Sequence, residues 1–177
     1  MKKKKYLIPE NWEASLEDLI LKAQPDSFVK RAYICSPCKD DSPEIVRNNM
    51  RAARLYMYIA LTSLQINARA PHGFFPVLLC DKIQAERILA MQFCKSLLQT
   101  GEQILVCGDR LSSGMKEEIT HAAKLGIKIS VFNSDLLIEV RKLITQAGAD
   151  KKLARINKKG SLLGKNTHDI LSLDGVI

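Results

Sequence analysis

The chain has 177 residues, 46% of them hydrophobic and 26% charged, with 27 Lys and Arg against 19 Asp and Glu for a formal net charge of +8. That length fits one hydrophobic core rather than two, and no apolar run approaches the roughly 20 residues of a membrane span, so neither a multidomain nor a membrane-spanning protein is expected. The basic start Met1 to Lys5 gives way after Tyr6-Leu7-Ile8 to Pro9-Glu10-Asn11, unlike a signal peptide, and five cysteines suit reduced thiols in a cytoplasmic protein better than a disulfide framework.

Residues 1–28 read as an irregular N-terminal arm with one short helical pattern, Trp12, Leu16, Leu19 and Ile20, which is expected to dock on the domain by those side chains. Ala32-Tyr33-Ile34-Cys35 reads as a buried strand, stopped by Ser36-Pro37 and the polar Lys39-Asp40-Asp41-Ser42. Ser42 caps a helix with Pro43 at its first position, running through Ile45, Val46, Ala53, Met57 and Leu61 to about Leu64. Asn67 to Ala70 is a weaker strand ended by Pro71-His72-Gly73, and Ile83 to Leu98 is a strongly apolar helix. Then follow a strand at Gln103–Cys107, a helix at Gly114–Leu125, a strand at Lys128–Phe132 and a helix at Asp135–Gln146.

Such repeated strand–helix crossovers predict an α/β domain over residues 29–148. Its expected form is a Rossmann-like, flavodoxin-like open parallel sheet of four to five strands with helices on both faces. Residues 149–177, with Lys151, Lys152, Arg155, Lys158 and Lys159 and little periodicity, are expected to be a basic, mobile tail.

Ligands of open parallel sheets bind beyond the carboxyl ends of the strands. Four segments should converge there: Ser36-Pro37-Cys38, Pro71-His72-Gly73, Gly108 to Gly114, and Asn133-Ser134. In the third, Gly108 lets the backbone turn, Ser112 or Ser113 can cap, and Gly114 opens a helix whose free N–H groups favour an anion or a polar oxygen. At about 100° per residue, Met115, Ile119, Ala122, Leu125 and Gly126 form one arc that includes Glu118, whereas Glu117 falls on the solvated side with Lys116, Thr120, His121 and Lys124. A carboxylate facing the sheet needs partners or a polar cavity. The alternative is an acid at the edge of the arc that bends out to water.

Residues Val106 to Ile119 resemble the strand-loop-helix of the nucleoside 2-deoxyribosyltransferase superfamily. They are most similar to its phage- and mobile-element-associated domains of unknown function, whose Ser-x-Gly-Met-x-x-Glu-Ile motif matches Ser112 to Ile119. Tyr33-Ile34-Cys35-Ser36-Pro37, Asn49 with Ala53-Arg54, Pro71-His72 and Glu86-Arg87 agree, so that the resemblance covers about residues 30–133. It implies a nucleoside- or nucleotide-binding protein that hydrolyses or transfers an N-glycosidic bond, with Glu118 as nucleophile at C1′ and Asp109 as acid or hydrogen-bond partner. Ser36, Pro37, His72, Gly108, Ser112, Ser113, Gly114 and Met115 would bind substrate. Paired acids suit such chemistry, because one carboxylate traps an oxocarbenium-like centre while a second group protonates the leaving base. Neither a metal nor an organic cofactor is required. The resemblance departs at Glu102, where these domains often carry Asp.

Other readings remain at this stage. Cys35-Ser36-Pro37-Cys38 has the spacing of a redox or metal pair, although a zinc site would need further ligands from His72, Cys80 or Cys107. His72 serves equally as a loop hydrogen-bonder or a base. Arg47, Arg51 and Arg54 share a helix face and, with the basic ends, allow non-specific nucleic-acid contact, but 6% aromatic content offers no stacking platform. The non-enzymatic alternative is a catalytically inactive nucleotide-sensing or nucleic-acid-associated module. A homo-oligomer is compatible with either.

Overall fold

The computed structural model describes residues 30–80 and 82–171. The arm pattern at Trp12, Leu16, Leu19 and Ile20 lies outside the described residues. In chain order the elements are β1 (Lys30–Cys35), α1 (Pro43–Leu64), β2 (Ile66–Arg69), α2 (Phe75–Leu78), α3 (Gln84–Gln99), β3 (Gln103–Val106), α4 (Ser113–Lys124), β4 (Lys128–Val131), α5 (Leu137–Gln146), β5 (Ala154–Ile156) and α6 (Thr167–Leu171). The five strands form one sheet in the order β2-β1-β3-β4-β5, every neighbouring pair parallel. The expected open parallel α/β sheet is therefore observed.

Strand side chains alternate between faces, and both faces are covered, which is why the strands are apolar throughout. Tyr33, Cys35, Ile104, Val106, Ile129 and Val131 pack against α3, α4 and α5 through Cys94, Leu98, Met115, Ile119, Val140 and Ile144. Ala32, Ile34, Leu105 and Cys107 pack on the other face against Ala52, Ala53, Tyr56, Ile59 and Ala60 of α1. α1 starts as its sequence requires, with Pro43 in the first turn and the Ser42 side chain accepting from the Ile45 N–H. Among the described residues no helix is long and apolar enough to cross a membrane.

The expectation of a mobile tail from residue 149 is corrected for residues 151–171. Ala154–Ile156 adds the fifth strand beside β4, and the following turn buries Leu163 against the α1 face. The Leu163 carbonyl accepts from the Gly108 N–H at 2.8 Å, and the Lys165 carbonyl accepts from the Tyr56 hydroxyl at 2.8 Å. Gly164 permits the close approach, since a Cβ there would lie 2.7 Å from the Phe132 carbonyl oxygen. A three-residue strand and one buried leucine are too short to leave a periodic signal among so many lysines.

Candidate active site

β1 and β3 are neighbours, but the chain leaves β1 for α1 on one face and β3 for α4 on the other. Such a switch point opens a crevice at the carboxyl edge of a parallel sheet. The two loops meet there. The Cys107 N–H donates to the Cys35 carbonyl at 2.9 Å, and Arg110 lies 3.9 Å from the Asp40 carboxylate. Gly108 has a φ of +91°, and a Cβ on it would sit 3.2 Å from the Pro37 ring, so glycine answers both the turn and the contact.

α4 is capped by the Ser112 side chain, which accepts from the Met115 N–H at 3.4 Å, and Gly114 falls in its first turn as expected. One turn on, Glu118 points at the sheet and is only 8% exposed, whereas Glu117 is exposed. Of the two sequence alternatives for Glu118, the inward one is observed. The Tyr33 hydroxyl donates to Glu118 Oε1 at 2.6 Å. Burial pushes the Glu118 carboxyl from 4.5 up to about 7, the Tyr33 and Cys35 donors pull it back down, and the Glu117 charge adds to the rise. Burial and the neighbouring Glu118 also push the Tyr33 hydroxyl and the Cys35 thiol well above their ordinary ranges, so both remain protonated donors at neutral pH. Glu118 is thus a buried carboxyl held by one neutral donor, the Tyr33 hydroxyl, and raised to about 7.

A second polar cluster lies between the β1 and β2 loops. Ser36 Oγ and His72 Nε2 are 2.8 Å apart and both residues are buried. Burial lowers His72 to about 4, so its ring is neutral at pH 7 and can accept from the Ser36 hydroxyl when its own proton sits on Nδ1. The Cys38 thiol donates to the His72 carbonyl, Asn49 Nδ2 donates to the Cys38 carbonyl at 3.0 Å, and Arg54 donates to the Gly73 carbonyl at 2.6 Å. Asn49 Oδ1 is buried with no hydrogen-bond partner among the described residues. α1 therefore clips both loops to the strand ends.

The sequence-selected residues divide accordingly. Ser36 meets His72, Pro37 meets Gly108, and Gly114 opens α4 beside Ser112 and Ser113. Met115, expected to line the site, is corrected: its side chain is in the core, and its carbonyl faces the Cys35 thiol. Asp109 is exposed and its charge acts on Tyr56, on the α1 side, while Glu118 is held from the opposite side by Tyr33. Among the described residues no hydrogen bond joins the two acids.

Cys35 and Cys38 do not act as a pair, because one thiol faces α4 and the other the His72 carbonyl. Among the described residues no three His, Cys, Asp or Glu side chains gather into a metal-binding group. Tyr33, the partner that defines Glu118, belongs by sequence to a buried strand and to a stretch that carries the family resemblance, neither of which assigns it a role at the site. Its signal was the two-residue alternation that puts it on the same face as Cys35. A shallow basic cleft of about 270 Å³ beside Lys95, Lys116 and Lys124 lies on the outer side of α4 with Glu117.

A family model described as a domain of unknown function (DUF7768) matches residues 30–132, which takes in β1 through β4 and every residue of the two polar clusters. No curated protein and no solved structure matches the chain.

Proposed function

Given that the chain belongs to the DUF7768 family, we propose that it binds a nucleoside or nucleotide in the crevice between β1 and β3 and hydrolyses or transfers its N-glycosidic bond, with Glu118 as nucleophile. The observation that carries this is the buried Glu118 carboxyl held at 2.6 Å by Tyr33, beside the switch point of a parallel sheet. The likeness of Ser112 to Ile119 to the nucleoside 2-deoxyribosyltransferase superfamily supports it independently.

In the proposed reaction the ionised Glu118 attacks C1′. The bond to the base breaks with its electron pair on the base nitrogen, which takes a proton, and a glycosyl ester of Glu118 forms. Water or a second base then displaces the ester and regenerates the carboxylate. Tyr33 orients the carboxylate by holding one oxygen, Ser36 and His72 offer a hydroxyl and a neutral imidazole to the sugar, and Asp109, on the loop after β3, would serve as acid or hydrogen-bond partner to the leaving base. Ser113 and the free N–H groups of α4 suit a 5′-phosphate. The setting is cytoplasmic, in keeping with five free thiols, and the basic residues allow weak nucleic-acid contact.

The burial of Glu118 favours a second reading, a nucleotide sensor that binds without turnover. Thermal shifts across nucleosides and nucleoside monophosphates, run beside chromatographic assay of base release, separate the two, because a ligand raises stability by mass action whether or not it reacts. Glu118→Gln should retain the thermal shift and lose base release roughly a thousandfold or more. Binding without release by the wild-type protein would favour the sensor, and no binding across the panel would reject both.

A further inference from the structure

The outward side of α3 is built as an interface. Only Cys94 and Leu98 of its 16 residues are buried. At about 100° per residue its exposed arc contains Ala85, Ile88, Leu89, Gln92, Phe93, Ser96 and Gln99, with no charge among them. A helix face meant for water carries Lys, Arg, Asp or Glu, and the solvated side of α4 does so with Lys116, Glu117 and Lys124. The face continues into the segment before α3. Phe75 packs edge-on against Phe93 with ring centroids 4.9 Å apart, and Val77 and Leu78 stand 77% and 72% exposed. A contiguous apolar patch of this kind marks a binding surface.

We propose that this face is covered by the chain's own residues 11–23, whose Trp12, Leu16, Leu19 and Ile20 stripe docks on Ile88, Leu89 and Phe93. Three observations select this occupant. The first is connection. The described chain begins at Lys30 on β1, and the Glu102 N–H bonds the Arg31 carbonyl, which puts the start of β1 beside the end of α3. Residues 24–29 reach at most roughly 20 Å when extended, enough to bring residue 23 onto α3 and no further than its neighbourhood. The second is size, since residues 11–23 wound as a helix would be about 20 Å long, matching the length of α3 from its first turn to Ser96. The third is charge. Residues 11–23 carry Glu13, Glu17 and Asp18 against Lys22, a net charge of −2, while α3 carries Arg87 and Lys95 against Glu86, a net charge of +1. A short tether gives the segment a local concentration that a free partner would have to exceed.

Trp12 is the single tryptophan of the chain, so its fluorescence in the full-length protein reads the docking directly. The wild-type protein should show a blue-shifted emission with weak acrylamide quenching at all protein concentrations. Leu89→Asp, at an exposed position whose change leaves the domain folded by circular dichroism, should move the emission to the red and raise the quenching constant several-fold. Leu16→Asp should do the same from the other side of the contact. A red-shifted, freely quenched Trp12 in the wild-type chain would overturn the proposal. So would a blue-shifted Trp12 that Leu89→Asp leaves unmoved. Sedimentation of the same samples tests a second copy as the occupant: a wild-type dimer that Leu89→Asp dissociates without changing Trp12 would also overturn it.

Discussion

α3 and α4 are neighbours on one face of the sheet and break the same rule in opposite senses. α4 buries Met115, Glu118, Ile119, Ala122 and Ala123 within 12 residues, so its buried arc holds an acid, while Leu125 and Gly126 of the expected arc fall past its end and are exposed. α3 buries two residues of 16 and leaves Ile88, Leu89 and Phe93 about half exposed. An acid inside an apolar arc marks chemistry or a structural hydrogen bond; apolar residues on an outer arc mark a partner. The two departures therefore carry different information, although both begin as a mismatch between helical pattern and exposure.

The sharpest contrast between the helices is in packing. Ile119 is fully buried, and Ile119→Ala should destabilise by about 4 kcal/mol in urea unfolding, through lost transfer energy and a residual cavity. Ile88→Ala should cost less, about 1 to 2 kcal/mol, because a docked terminal segment covers it less tightly than the core covers Ile119. Equal losses at the two positions would mean that the α3 face is as tightly covered as the core.

The next effect is in pH. Glu118, raised from 4.5 to about 7, binds its proton more tightly folded than unfolded, so its contribution to stability is full below about pH 4.5 and is lost as pH rises to about 7. His72, lowered from 6.5 to about 4, contributes fully above about pH 6.5 and loses that contribution as pH falls to about 4. Each is worth about 3 kcal/mol across its window, and between pH 4.5 and 6.5 the two slopes oppose. Glu118→Gln should uncover stability that rises with pH there, and His72→Asn stability that falls. Urea titrations at several pH values check both signs, and parallel curves for the two variants would contradict the assignment.

Tyr33→Phe removes the donor that favours the Glu118 anion. It should raise the Glu118 pKa above about 7 and cost about 2 kcal/mol at pH 8, with a smaller loss at pH 5 where the carboxyl is protonated. An equal loss at both pH values would show that the hydroxyl acts through packing alone. The smallest effect belongs to the solvated side of α4, where Lys116 and Glu139 lie 2.8 Å apart with both side chains largely exposed. Lys116→Ala should change stability by about 0.5 kcal/mol.

Much of this was legible in the sequence where one signal sufficed. The Ser42-Pro43 start of α1, the exposure of Glu117 and Gly114 in the first turn of α4 each follow from spacing and local chemistry, whereas spacing put Glu118 in the apolar arc but left open whether it bends out to water. What was not legible depends on long-range pairing. Tyr33 and Glu118 are 85 residues apart, and neither marks the other. β5 is three residues long and draws its stability from β4 and from Leu163 packing on the far face, so neither composition nor periodicity announced it. Met115 sits in the expected arc, yet its side chain enters the core and only its backbone reaches the Cys35 thiol. Asp109 follows β3 as expected, but the side of the sheet it serves depends on Tyr56 of α1.

The most direct measurement is to look for the glycosyl ester itself. The full-length protein would be incubated with nucleosides bearing fluorine at C2′, which slows breakdown of a glycosyl ester by destabilising positive charge at C1′, and then digested for peptide mass spectrometry. The account predicts one added glycosyl group, on the peptide containing Glu118 and at Glu118 rather than the exposed Glu117, absent from Glu118→Gln and slowed in Tyr33→Phe. Base release by the wild-type protein with the adduct on another residue, or undiminished release by Glu118→Gln, would contradict it.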